Sequence, residues 1–232
     1  MKNLGRCVVA WISTVGTMAL LLCVAATGFA DTIKSEAELT TKDIDLKETV
    51  LGRLVADAIR ATAKSDVAII AASAFAEVTF PKGNVNSNDI LKALEYRDDN
   101  VVIVKLTGSQ INRALEHGLY LYPKGNSGFL QFSGMVVTIN PDAEKEKRVI
   151  SVKIGGDPLE TSKTYKVAMP APLANGALAY FKIWKKSDID KDTNKTLETA
   201  ITGYLSDHKT IGKGDGKGEE RLVIKGKKSE AN

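Results

Sequence analysis

The residues able to do chemistry are few and scattered. The chain of 232 residues has two histidines, His117 and His208. Neither stands in a His-x-His, Asp-x-His or Asn-His arrangement, and two-metal hydrolysis needs such side chains to converge. His117 follows Glu116 where a helix is expected to end, so its expected task is to cap carbonyls, and His208 reads the same way. Two isolated histidines give no support to a Ser-His-Asp set. Asp188-Ile-Asp-Lys-Asp192 has the spacing of a calcium loop. Its sixth position is Thr193 rather than Gly and its twelfth is Thr199 rather than Glu, so it reads as an acidic loop entering the next helix. Gly212-Lys-Gly-Asp-Gly-Lys-Gly218 lacks the Gly-Lys-Ser/Thr ending of a phosphate loop and reads as a flexible solvated loop. These patterns predict no catalytic residue, no metal site and no cofactor.

The N-terminus is read as an export signal over residues 1–30. Lys2 and Arg6 form a short basic region, and an apolar run follows from Cys7 to Ala26. Gly28 and Ala30 are small residues at the −3 and −1 positions of a cut before Asp31. The alternative is an uncleaved anchor, since the run is long enough to span a bilayer. A membrane partner is expected in that case alone. Lipoprotein processing is disfavoured because Leu22, not a small residue, precedes Cys23. Both cysteines lie in this leader, so the mature chain is expected to hold itself together without disulfides. Removing Lys2 and Arg6 takes the formal charge from +4 to +2, which is no nucleic-acid signature. The expected location is extracytoplasmic, periplasmic or secreted.

Residues 31–46 are polar and read as a linker, 47–208 as one domain, and 209–232 as a basic Gly/Lys-rich loop and tail with at most one short strand, Leu222–Ile224. Glu48 to Lys64 is a strong helix, with Leu51, Leu54, Val55, Ala58 and Ile59 on one face. Asp66 to Ile70 is a buried strand, and Asn88 and Asp89 can cap a helix carrying Ile90, Leu91 and Leu94. Val101 to Leu106 is a strand that turns at Thr107-Gly108 into a helix with Ile111, Leu115 and Leu119 inward. Phe129 to Ile139 is strand-like around Gly134. Arg148–Ile154 and Tyr165–Met169 read as a hairpin, and Thr193 to His208 as a helix. Trp184 and Phe181 read as core.

Five segments in this order resemble one family. Glu48-Thr-Val-Leu-Gly-Arg-Leu-Val-Ala-Asp-Ala-Ile59 is similar to the opening helix of the 5'-nucleotidase C-terminal domain. Val101-Val-Ile-Val-Lys-Leu-Thr-Gly-Ser-Gln110 with Leu115-Glu-His-Gly118 resembles its central strand, turn and helix. Gly128-Phe-Leu-Gln-Phe-Ser-Gly134, Tyr165-Lys-Val-Ala168 and Leu173-Ala-Asn-Gly176 complete the series. The match runs from Lys47 to Tyr180. It implies an α+β class with a layered α/β/β/α fold and mixed sheets, of the UDP-sugar hydrolase and 5'-nucleotidase type. In that family the C-terminal domain grips the nucleoside between two aromatic rings, and a separate two-metal metallophosphoesterase domain cuts the phosphate.

The resemblance also implies a set of ligand contacts, and here they are changed. Ala71 stands at the family's Asn and Ala76 at its Arg. Tyr96-Arg97 stands where a stacking Phe belongs, and Pro172 where the second one does. The family's Gly-Asp-Gly and aromatic residue read Ala177-Leu-Ala-Tyr180, so Leu178 replaces the Asp. By analogy the cleft's candidate ligand-binding residues are Ser73, Tyr96, Arg97, Gly128 and Asn175. The expected function is an exported, non-catalytic binding module with a degenerate nucleotide pocket. The alternative is a hydrolase component in nucleotide catabolism that works with a separately encoded metallophosphoesterase. Expected partners are that enzyme or another extracytoplasmic protein, or a small molecule, and not nucleic acid.

Overall fold

The computed structural model describes residues 32–212 and 220–226. The expected leader, the tip of the Gly/Lys-rich loop and the last six residues lie outside them. The strands are β1 (Thr32–Ser35), β2 (Leu39–Thr40), β3 (Val67–Ala71), β4 (Thr79–Phe80), β5 (Gly83–Asn86), β6 (Asn100–Thr107), β7 (Leu130–Ser133), β8 (Met135–Ile139), β9 (Val149–Ile154), β10 (Asp157–Pro158), β11 (Thr164–Pro170), β12 (Ile189–Thr196), β13 (Thr210–Ile211) and β14 (Leu222–Ile224). The α-helices are α1 (Val50–Ala63), α2 (Ser87–Leu91), α3 (Gly108–Gly118), α4 (Ala171–Ala174) and α5 (Leu197–Asp207).

The central sheet has the order β12-β6-β11-β3-β7. β3 and β11 run parallel, and the other neighbours run antiparallel. A second sheet has the order β10-β9-β8-β14, with β14 parallel to β8. The α+β class with mixed sheets is the one the resemblance implied. β3 is buried along its whole length, as the unbroken apolar run predicts for a strand covered on both faces. α1 lies over β7 and β3 and packs on α5. It begins where the Thr49 hydroxyl accepts the Gly52 N–H at 3.0 Å, and it ends at Lys64, whose φ is 51°. The Thr107-Gly108 turn is a capping box. Thr107 Oγ1 accepts from the Gln110 backbone at 3.2 Å, and Gln110 Oε1 accepts from the Thr107 backbone at 2.9 Å. This box fixes the angle at which β6 passes into α3.

Gly134 carries the chain from one sheet to the other. Its φ is +82°, and a Cβ there would strike the Asp66 carbonyl. β7 on one side pairs with β3, and β8 on the other pairs with β9 and β14. Polar side chains pin this crossover. Asp57 on α1 accepts from Ser133 Oγ at 2.5 Å and from Arg221 Nη2 at 2.8 Å. Arg221 Nη1 also donates to the Phe132 carbonyl at 3.1 Å. One ion pair therefore joins α1, β7 and the start of β14. Gln131, fully enclosed on β7, donates to the carbonyls of Ile44 and Lys47 and accepts from Thr49 N–H, which uses both its amide hydrogens and its oxygen. On the other side, Glu116 of α3 accepts the backbone N–H groups of Arg148 and Val149, holding β9.

Five expectations need correction, the first being that residues 209–232 hold at most one short strand: their described residues hold two, β13 paired with β1 and β14 paired with β8. Residues 32–46, read as a linker, are part of the fold. β1 pairs with β5 and β13, and Ile33, Leu39 and Ile44 are buried. Their pairings are with distant segments, so no local periodicity reveals them. Arg148–Ile154 and Tyr165–Met169 do not form a hairpin. β9 pairs with β8 and β10, whereas β11 enters the central sheet between β6 and β3. Residues 189–196, read partly as loop and partly as helix, form the edge strand β12, and α5 starts at Leu197 under a Thr196 cap. An edge strand studded with charges lacks the alternation that marks a half-buried one. Phe181 is 63% exposed rather than core, while Trp184 is buried as expected.

Two outcomes follow for stability. Arg221→Ala leaves Asp57 enclosed without its cation and should cost about 3–5 kcal/mol by chemical denaturation. Burial lifts the Glu48 carboxyl above its ordinary value of 4.5, against the pull of Arg53, Arg221 and the Arg221 and Leu222 N–H groups. The folded state then holds this proton more tightly than the unfolded chain does. Glu48's contribution is full below 4.5 and is lost as pH rises through the raised value. Glu48→Gln should flatten that loss in denaturation midpoints taken from acidic to neutral pH.

Candidate functional site

β3 and β11 run parallel and end at the same edge of the central sheet, beside the start of β6, where Pro170 is paired with Val101. Such an edge is where open α/β sheets commonly leave a crevice. Here it forms a cavity of about 390 Å³, within the range of small-molecule sites. Ala71, Ser73 and Ala74 line it from the end of β3 and the following turn, and Tyr96 and Asp99 from the loop before β6. Pro170, Pro172, Leu173, Ala177 and Leu178 close it from the segment after β11. The wall is chiefly apolar. Ser73, Tyr96 and Asp99 are its polar side chains.

An aromatic stack holds the far wall in place. Tyr180, fully buried, stacks on Trp184 with ring centroids 4.8 Å apart and meets the His117 ring edge-on at 4.6 Å. Its hydroxyl donates to the Gly128 carbonyl at 2.7 Å, and Trp184 Nε1 donates to the Leu173 carbonyl at 3.1 Å. Burial drives the Tyr180 pKa far above its ordinary value, so the hydroxyl stays a donor. His117 Nε2 donates to the Leu178 carbonyl at 2.8 Å. His117 therefore acts on a carbonyl, though on the segment facing its helix rather than at the helix end. Leu178 and Ala179 are both left-handed, with φ of 56° and 65°. Non-glycine residues adopt that conformation at a cost of about 1–3 kcal/mol each, and they hold it when packing fixes both sides. Gly176 beside them has φ +91°, and a Cβ there would meet the Phe181 backbone.

The five candidate residues fall into two groups. Ser73 and Tyr96 both line the cavity, and Tyr96 is 62% exposed. Arg97 is not among the cavity's lining residues; it borders an adjoining depression with Tyr96 and Asp99 and pairs with Glu198 at 3.4 Å. Gly128 N–H donates to Asn126 Oδ1 and its carbonyl receives Tyr180, so Gly128 is an anchor point. Asn175 Nδ2 donates to the Ala171 carbonyl at 2.8 Å and closes its own turn. Ala71, Pro172 and Leu178 stand in the cavity wall, and Ala76 lines a shallower depression that meets the cavity at Ser73.

The sequence reading missed Asp99. Burial, and then the neighbouring Asp98 carboxylate, raises its pKa. The available signal was its place three residues after Tyr96, in a turn closed by Asp99 N–H on the Tyr96 carbonyl. Of the acidic loop, Asp190 pairs with Lys105 and Asp192 accepts from Asn100. Asp188 accepts from the Lys185 backbone. Among the described residues, no three His, Cys, Asp or Glu side chains are grouped as metal ligands, so they offer no donor set for a metal pair.

Comparison with known proteins gives this fold its class. The family model for the 5'-nucleotidase C-terminal domain matches residues 25–185, and the chain belongs to that family. A snake venom 5'-nucleotidase from Naja atra is 31% identical over 109 residues, covering 44% of this chain and 20% of that protein. The trifunctional nucleotide phosphoesterase protein YfkN of Bacillus subtilis is 33% identical over 135 residues, 53% of this chain and 9% of that protein. The chain thus spans a fifth or less of the length of these curated relatives. A 5'-nucleotidase precursor from Thermus thermophilus has the same fold, with a TM-score of 0.74 at 23% identity over 84% of this chain and 39% of its own.

Tyr180→Phe strips the enclosed Gly128 carbonyl of its donor and should cost about 1–3 kcal/mol. Ala179→Gly should do the opposite and raise stability by up to about 1 kcal/mol, because glycine carries no penalty at positive φ. Denaturation midpoints of both variants check this pair.

Proposed function

We propose that this chain is an exported, non-catalytic binding module whose cleft takes a small ligand other than a nucleotide. The observation that carries the reading is the apolar wall at the crevice, where Ala71, Pro172 and Leu178 stand at positions that the family resemblance assigns to an Asn, an aromatic ring and an Asp. A nucleoside seated there keeps one ring to stack on, Tyr96, worth about 1–3 kcal/mol. Each polar edge group left without a partner costs about 1–3 kcal/mol. With the Asn and Asp replaced in the wall and Ala76 in place of the Arg, the unmet groups outweigh the single stack. Export is supported by the leader pattern before Asp31. No helix among the described residues is long and apolar enough to cross a membrane.

A second reading is a hydrolase component in nucleotide catabolism, with a metallophosphoesterase supplied by another chain. It is favoured by the names of the relatives, which are nucleotidases and nucleotide phosphoesterases. A thermal-shift screen of the protein with adenosine, AMP and a UDP-sugar separates the two. A ligand present at 100 times its Kd adds about 2.7 kcal/mol. The first reading expects no shift with any of the three, and a shift with AMP supports the second. N-terminal sequencing of the exported protein should start at Asp31.

A further inference from the structure

The cavity holds one carboxylate in an otherwise uncharged wall. Among the described residues, Asp99 is its lone acidic lining residue, and no lysine, arginine or histidine lines it. Among the described residues, the Asp99 carboxylate has no hydrogen bond or ion pair, although its backbone N–H and carbonyl are both engaged, with Tyr96 and Leu197. The nearest cation in sequence, Arg97, is held by Glu198 instead. Asp98 adds a second negative charge next to it. Three residues before Asp99, the Tyr96 ring lines the same cavity and is 62% exposed. The opposite wall is Pro172, Leu173 and Leu178, which offer no charge and no side-chain hydrogen bond.

We infer that the cavity binds a small organic monocation, an amine with an aromatic or aliphatic body, whose ammonium group sits between the Asp99 carboxylate and the Tyr96 ring. The carboxylate supplies charge-assisted hydrogen bonding and the ring face supplies cation–π attraction. The apolar body packs against the proline and leucine wall. The same features repel an anion, which meets the Asp99 carboxylate with no cationic side chain among the described lining residues to receive it. A bound ammonium would also bring the Asp99 pKa back down, opposing what burial does to it in the free protein. The inference rests on the reading of this cleft as a ligand site.

The test is titration calorimetry of the full chain with three probes of one shape: phenethylamine, phenethyl alcohol and phenylacetate. The ammonium probe should bind at least about tenfold tighter than the alcohol, and phenylacetate should not bind. Asp99→Asn keeps the backbone contacts and should fold with an unchanged melting temperature. In that variant the amine and the alcohol should bind alike. Tyr96→Ala should weaken the amine more than the alcohol. Equal binding of amine and alcohol by the unaltered protein, or an amine preference that survives Asp99→Asn, overturns the inference while leaving a small-ligand cleft in place. Silence from all three probes overturns it as well. Binding of AMP in the same experiment overturns the reading of the cleft itself.

Discussion

Moving a chain between two sheets leaves polar groups at the crossing that must be satisfied away from water, and this constraint organises the molecule. β7 and β8 are consecutive, yet they belong to different sheets. At their junction the Asp57–Arg221 ion pair, with Ser133 as third member, satisfies the groups that the bend encloses. An enclosed ion pair of this kind offers little net stability over an apolar replacement, but it is costly to break. Its effect is to specify where elements sit. It allows one placement of β14 against β8 and one rotation of α1 over β7. Gln131, two residues before Ser133, does the same for the N-terminal segment through three hydrogen bonds. The central sheet is thereby fastened at both chain ends before any ligand is considered.

The crevice inherits its position from that sheet and its shape from the stack of His117, Tyr180 and Trp184. The stack links α3, the Gly128 loop and the segment that closes the cavity. None of the three residues lines the cavity; His117 and Trp184 hold the carbonyls of Leu178 and Leu173, which do, and Tyr180 ties the segment to Gly128. Side chains facing the ligand can thus change while the frame keeps its geometry. The lining residues Ala71, Pro172 and Leu178 take no part in that stack.

What was legible in the sequence follows from where each signal resides. Helix α1 and strand β3 were readable because burial of a face repeats at a fixed local spacing. The β6–α3 junction was readable because the Thr107 and Gln110 box is local too. Pairings between distant segments were not. β1 is held by β5 and β13, and β11 by β6 and β3, and nothing within a short window encodes those partners. At the cavity, Ser73 and Tyr96 line the wall, as the family order placed them in the cleft. Arg97, Gly128 and Asn175 are each occupied by the protein itself, in an ion pair, an anchor and a turn. Asp99 escaped notice because its character comes from what surrounds it and not from any motif.

The left-handed pair at Leu178 and Ala179 separates the frame of the cleft from its lining. The family's pattern puts a glycine where Ala179 stands, and the backbone here still follows the path a glycine would choose, with φ at 65°. An alanine holds that curve because Tyr180 and the grip of His117 on the Leu178 carbonyl dictate it. The path of this loop is thus set by main-chain contacts rather than by the side chains that face the cavity. A designer wishing to place a new ligand in this cleft would have no loop to rebuild and could alter the lining side chains alone.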